Sequence, residues 1–208
     1  MRRLIYVPIV HTMADMGSEA ETLKMEYIER YGEAAWFRSR QIVEGVWEGI
    51  TERLRALNLD YRKVRIYQDG LPSCGRELEI VRQVAACGSK NYALILDLLE
   101  RGALVEGTES PDLLLEEYNF IKRITQAKDE AEQEAAREAY ARESSRILKQ
   151  RDEFISRRID ESLQEGEIGL LFLGLMHQVD QMLPKDIEVS YLIHRLPFQG
   201  AVTLPGGA

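Results

Sequence analysis

The chain has 208 residues, 45% of them hydrophobic and 30% charged; set against about 150 residues per domain, this predicts one globular domain and excludes disordered, collagen-like and repeat architectures. Lys plus Arg number 27 against 35 Asp plus Glu, a net charge of -8, so a phosphate backbone is repelled and nucleic acid is not an expected partner. Two cysteines, Cys74 and Cys87, without CxxC spacing, exclude a disulfide framework and a cysteine zinc cluster and suit a reducing cytoplasm.

The first element is an apolar run from Leu4 to Val10. Pro8 interrupts it, and His11, Asp15 and Glu19 follow with no small-residue cleavage pattern, so it reads as a strand rather than a signal peptide. A long helical region comes next, broken near Gly32. Its second part places Val43, Trp47, Ile50, Leu54 and Leu57 on one apolar stripe, and Gly45 and Gly49 permit a close backbone approach. A second strand is expected at Val64 to Tyr67. The segment Leu71-Pro72-Ser73-Cys74-Gly75 then leads into helices from about Arg76 to Ala86 and from about Asn91 to Arg101. A third strand is expected at Ala103 to Glu106, and Ser110 with Pro111 marks a helix start, serine as N-cap and proline in the first turn.

Residues 127–164 are the most charged part of the chain but keep helical order, with alanines at 127, 131, 135 and 139 and Tyr140, Ile147 and Phe154 recurring every seven. The reading is a solvated helix packed on the earlier long one, and any homodimer would use what that packing leaves exposed. Strands at Ile168 to Leu175 and Ile187 to Ile193 close the pattern, joined by a short segment around Pro184 that leaves their relative direction open. Ile168 to Met176 is the most apolar stretch and falls short of the roughly 18 residues of a membrane helix. Strands of branched apolar residues alternating with helices predict an α/β fold: an open, mostly parallel sheet of about five strands with long helices packed on it. Residues 1–197 form a single domain in this reading, and 198–208 an irregular tail.

Ionisable residues gather just after the expected strands: His11 after the first, Asp69 after the second, Glu106 and Glu109 after the third, His177 and Asp180 after the fourth. The carboxyl ends of parallel strands form the ligand-binding edge of such a sheet. Two imidazoles, His11 and His177, with one or two carboxylates would hold a divalent Zn, Mn or Fe ion and activate water; two ordinary strand-end histidines are the plain alternative. Cys74 precedes a helix N-terminus, which favours a thiolate, and offers a different nucleophile beside an inert loop cysteine. The chain has no GxGxxG, GxxxxGK[ST] or GxSxG, which removes the main local support for dinucleotide, P-loop and hydrolase-elbow sites.

Near the C-terminus, Arg151-Asp152-Glu153-Phe154-Ile155 opens a helical stretch that precedes an apolar strand closing on Gly174-Leu175-Met176-His177. This resembles the TraB/Tiki group of the erythromycin-esterase and ChaN-like superfamily, in which an Arg-led helix precedes a strand ending in Gly-x-x-His. The first strand ends Pro8-Ile9-Val10-His11, matching that family's histidine without its glycine; Asp69 stands nearest to where the family has a Glu. The likeness covers about 45 residues at the C-terminus and roughly ten at the N-terminus. It implies an α/β fold with two histidines, a carboxylate and an arginine around one cleft, associated in some members with metal-dependent peptide cleavage. The expected function is a metal-dependent hydrolase of a peptide or ester. In it His11 and His177 hold the metal, Asp69 or Glu106 completes the shell or acts as base, and Arg151 stabilises an oxyanion. The alternative is a non-catalytic α/β module that binds a small ligand or a protein partner.

Overall fold

A computed structural model of the chain describes residues 1–10 and 20–193. His11, His194 and the 198–208 tail lie outside the described residues. The elements run β1 (Arg2–Ile9), α1 (Ala20–Tyr31), α2 (Glu33–Ala56), β2 (Val64–Gln68), α3 (Glu77–Ala86), α4 (Lys90–Glu100), β3 (Leu104–Glu106), α5 (Pro111–Thr125), α6 (Glu130–Ser162), β4 (Ile168–Gly174) and β5 (Ile187–Tyr191). The five strands form one sheet in the order β3-β2-β4-β1-β5, and every pair in it is parallel. The direction left open for the last two strands is therefore settled: β5 runs parallel to β4 but pairs with β1, on the far side from it.

Alternation along the strands builds two cores, because successive side chains point to opposite faces. Ile5 and Val7 of β1, Ile66 of β2 and Leu170 and Phe172 of β4 meet Trp47, Ile50 and Leu54 of α2 and Ile95 and Leu98 of α4 on one face. Leu4 and Tyr6, Tyr67, and Leu171 and Leu173 meet Ile155 and Ile159 of α6 on the other. The expected packing of α6 on α2 is thus corrected, since the sheet lies between them. The reason is topological. Crossovers from β1 to β2 and from β2 to β3 move toward one end of the sheet over the α2–α4 face; the crossover from β3 to β4 returns the other way and, keeping one handedness, must use the opposite face.

The partner of α6 is α5. Phe120 and Tyr140 lie 5.8 Å apart between ring centres, and Arg146 pairs with Glu116. The hairpin starts are built by capping: Ser110 accepts from the Leu113 N–H with Pro111 behind it, and Asp129 accepts from the Glu132 N–H while Glu132 accepts from the Lys128 N–H. Ile147, Ile155 and Ile159 bury the C-terminal half of α6.

Gly32, at φ 82, separates α1 from α2. The apolar stripe of α2 ends at Leu54, with Leu57 exposed just beyond the last turn. At Gly45 an added methyl would meet nothing within 4 Å, so the close approach expected there does not form. No helix among the described residues is long and apolar enough to cross a membrane.

Candidate functional site

The strand order dictates where a crevice opens. The connection leaving β2 goes toward β3 and the one leaving β4 goes toward β5, although β2 and β4 are neighbours. Their carboxyl ends are therefore a switch point, where the two departing loops diverge and leave room for a ligand. Asp69 follows β2 directly, and Gly174 to His177 follow β4.

Backbone pairing brings these loops into register. The Asp69 N–H donates to the Phe172 carbonyl at 2.9 Å, extending the β2–β4 ladder by one residue. The Gly174 N–H donates to Asp69 Oδ2 at 3.0 Å. The loop after β3 is set by Thr108, whose hydroxyl accepts from the Gln68 N–H at 2.8 Å and donates to the Glu106 carbonyl at 3.1 Å. It is set also by Gly107, where a Cβ would collide with the Ser73 backbone and approach Glu77 Oε1 to 2.7 Å. These two loops pair at Pro72 and Glu109, which aims the fully buried Glu109 carboxylate inward.

Arg151 of α6 enters this group. Its Nη2 donates to Asp69 Oδ1 at 2.8 Å and to Glu109 Oε1 at 2.6 Å, its Nε to Glu109 Oε2 at 3.1 Å, and its Nη1 to Glu117 Oε2 at 2.7 Å. Four of the five N–H donors of the guanidinium are thereby engaged by carboxylates. Glu117 is held in turn by the Tyr140 hydroxyl at 2.6 Å. Burial alone would weaken the charge on Arg151, but Glu109, Asp69 and Glu117 outweigh it and bind the proton more firmly. Burial raises the Glu109 carboxyl above its ordinary value; Arg151 opposes the rise and nearby Asp69 adds to it.

The neighbouring residue, Asp152, bonds the ring of His177. Asp152 Oδ1 lies 2.5 Å from His177 Nδ1, and Oδ2 accepts from the Gln178 N–H at 2.9 Å. A ring that carries its single proton on Nδ1, toward the carboxylate, would present Nε2 as a lone pair. That atom lies 3.7 Å from Asp69 Oδ2. Ligand atoms of Asp69, Glu109 and His177 all fall within 4.8 Å of one another.

A cavity of about 530 Å³ opens over the group, within the range of small-molecule sites. Asp69, Glu117, Arg151 and His177 line one part of it; Val10, Leu148, Leu175 and Met176 line another.

The structure thus brings Asp69, Arg151 and His177 together and leaves two other candidates apart. Glu106 pairs with Arg65 of β2 and approaches Arg158 at 3.7 Å, outside the cavity lining; Glu109, three residues on, takes the place beside Asp69. Cys74 sits exposed in the loop after β2, also outside the lining. His11 follows Val10, which lines the cavity, but is itself outside the described residues. Glu117, Tyr140 and Asp152 were not singled out from the sequence. A signal for Asp152 and Arg151 existed: both are charged residues on the helix face that carries Ile147, Ile155 and Ile159, where a solvated residue has no place. Compared with protein-family models, curated proteins and solved structures, the chain matches none.

Proposed function

We propose that the chain is a metal-dependent hydrolase whose ion is held by His177, Asp69 and Glu109. The observation that carries the reading is the convergence of one imidazole nitrogen and two carboxylates within 4.8 Å, the imidazole being oriented from behind by Asp152. A histidine whose second nitrogen bonds a carboxylate is the usual arrangement of a metal ligand. The donor set of nitrogen and oxygen suits Zn, Mn or Fe. The resemblance to the TraB/Tiki group supports the same site through Gly174-Leu175-Met176-His177.

A divalent ion bound here would polarise a carbonyl oxygen and acidify water. The protein's own groups do the positioning. Asp152 holds the His177 ring with Nε2 forward, and Arg151 clamps Asp69 and Glu109 at fixed separation. Glu117 and Tyr140 fix Arg151 in turn. The net reaction adds one water across an acyl bond, hydroxyl to the carbonyl carbon and proton to the departing oxygen or nitrogen. With four donors on carboxylates, Arg151 acts as a positioning residue.

One observation favours the non-catalytic alternative: Arg151 already bonds Asp69 and both oxygens of Glu109, partly offsetting the charge an ion would neutralise. Metal analysis of chain purified without chelator or affinity tag separates the two readings. The hydrolase reading expects one divalent ion per chain and its loss in His177→Ala. Unchanged stoichiometry in that variant, or no uptake by the wild type, returns the cluster to a structural ion network. A panel of peptides and esters tested with and without chelator follows. Cys74→Ser retains activity on this reading, whereas a thiol nucleophile would make that variant inactive and chelation harmless.

A further inference from the structure

The charge and the exposed apolar residues of the cavity together restrict what enters it. Asp69, Glu117 and Arg151 line it, with Glu109 and Asp152 directly behind through Arg151 and His177. Among the described residues Arg151 is the only basic side chain besides His177 in the lining, and its donors are turned to carboxylates. The carboxylates outnumber the one guanidinium and leave a negative field over the cavity. An incoming phosphate or carboxylate would meet repulsion, with only the neutral hydroxyls of Tyr140, Ser144 and Ser145 in the lining to set against it.

The rim has the opposite character. Leu175 and Met176, the two residues between Gly174 and His177, are 73% and 75% exposed, and they line the cavity together with Val10 and Leu148. Large apolar side chains displayed beside a reactive imidazole lose water only when a ligand covers them. Position matters as much as exposure: Leu175 and Met176 line the same cavity as His177, the residue that follows them.

We infer that the ligand is a neutral carbonyl compound, an amide or ester, carrying an apolar chain that lies along Leu175, Met176 and Leu148, and that phosphate and free carboxylate compounds are excluded. This deepens the hydrolase reading by naming its substrate class and rests on that reading for the reaction, though not for the charge or apolarity of the ligand.

Calorimetric titration of the full chain with octanamide, acetamide and octyl phosphate, each with and without added divalent ion, tests it. Octanamide binds more tightly than acetamide by roughly tenfold or more, as burial of even part of six further methylenes requires, and octyl phosphate binds more weakly than octanamide. Leu175→Ser with Met176→Ser, both at exposed positions, removes most of the chain-length advantage. Octyl phosphate binding as well as or better than octanamide overturns the inference, as does a chain-length advantage that is absent or survives the double substitution. Failure of metal uptake with the octanamide preference intact defeats the hydrolase reading alone. Uptake that depends on His177, with phosphate preferred, defeats this inference alone.

Discussion

Asp152 and Gly107 show how single residues hold this site without entering it. Asp152→Asn keeps the shape of the side chain but exchanges a carboxylate for an amide beside His177 Nδ1. If the proposed site holds a metal, its affinity is expected to fall roughly 10–100-fold in that variant while the fold persists, a change that equilibrium dialysis against a divalent ion reads. Gly107→Ala drives a methyl into the Ser73 backbone, which cannot yield as a flexible side-chain tip would. A loss of about 2–3 kcal/mol in urea unfolding is expected, as for other overpacked sites. Glu109 gives a pH signature. Its folded value is raised from the ordinary 4.5 by burial, so its contribution to stability is full below that value and is lost as pH rises through the folded one. Wild type therefore loses stability relative to Glu109→Gln as pH is raised above 4.5; parallel stability profiles would show that the buried carboxyl does not titrate with folding. At this scale Asp69 and His177 were legible because each directly follows an apolar strand. Glu117 was not, because its role depends on α5 lying against α6, a pairing that no local pattern in either helix specifies.

Among the elements, α6 divides into two functional lengths. Its C-terminal half is a wall of the domain, with Ile147, Ile155 and Ile159 fully buried. Its N-terminal half is exposed toward solvent except where it meets α5; Tyr140 of that half and Leu148, just past the midpoint, line the cavity. Ile155→Ala costs about 2–4 kcal/mol by cavity formation, measurable by thermal or urea unfolding. Substitution of an exposed residue such as Arg142 in the N-terminal half stays within about 0.5 kcal/mol. The strands, the break at Gly32 and the Ser110 cap were readable from apolar runs, turn residues and capping chemistry, all of which act over a few residues. The face on which α6 packs was not, since periodicity shows that a stripe must be covered without showing by what.

For the whole molecule, the sheet is tied on the α6 face by Arg65, which bonds Glu167 before β4 at 2.5 Å and pairs with Glu106 of β3. Burial pushes the Glu167 carboxyl up, but Arg65 and the Gln164 N–H outweigh it and hold it below the ordinary value of 4.5. Its contribution is therefore present above 4.5 and lost as pH falls through the lowered value. Glu167→Gln is expected to reduce stability at neutral pH by about 1 kcal/mol and to flatten the acid limb of the stability profile; an unchanged limb would place the acid sensitivity elsewhere. Strand order was beyond reach of the sequence because parallel pairing depends on long crossovers, and β1, with Ile5 and Val7 as apolar as any strand, carries no mark of which strands flank it. That order shapes how the chain meets the ribosome. β1 is synthesised before every other strand of the sheet, yet both its neighbours, β4 and β5, lie beyond residue 167. Until residues 168–191 have emerged, Leu4 to Ile9 lacks both of its native partner strands, an interval in which an unpaired apolar strand is exposed to aggregation. The cleft itself can close only after His177 has emerged.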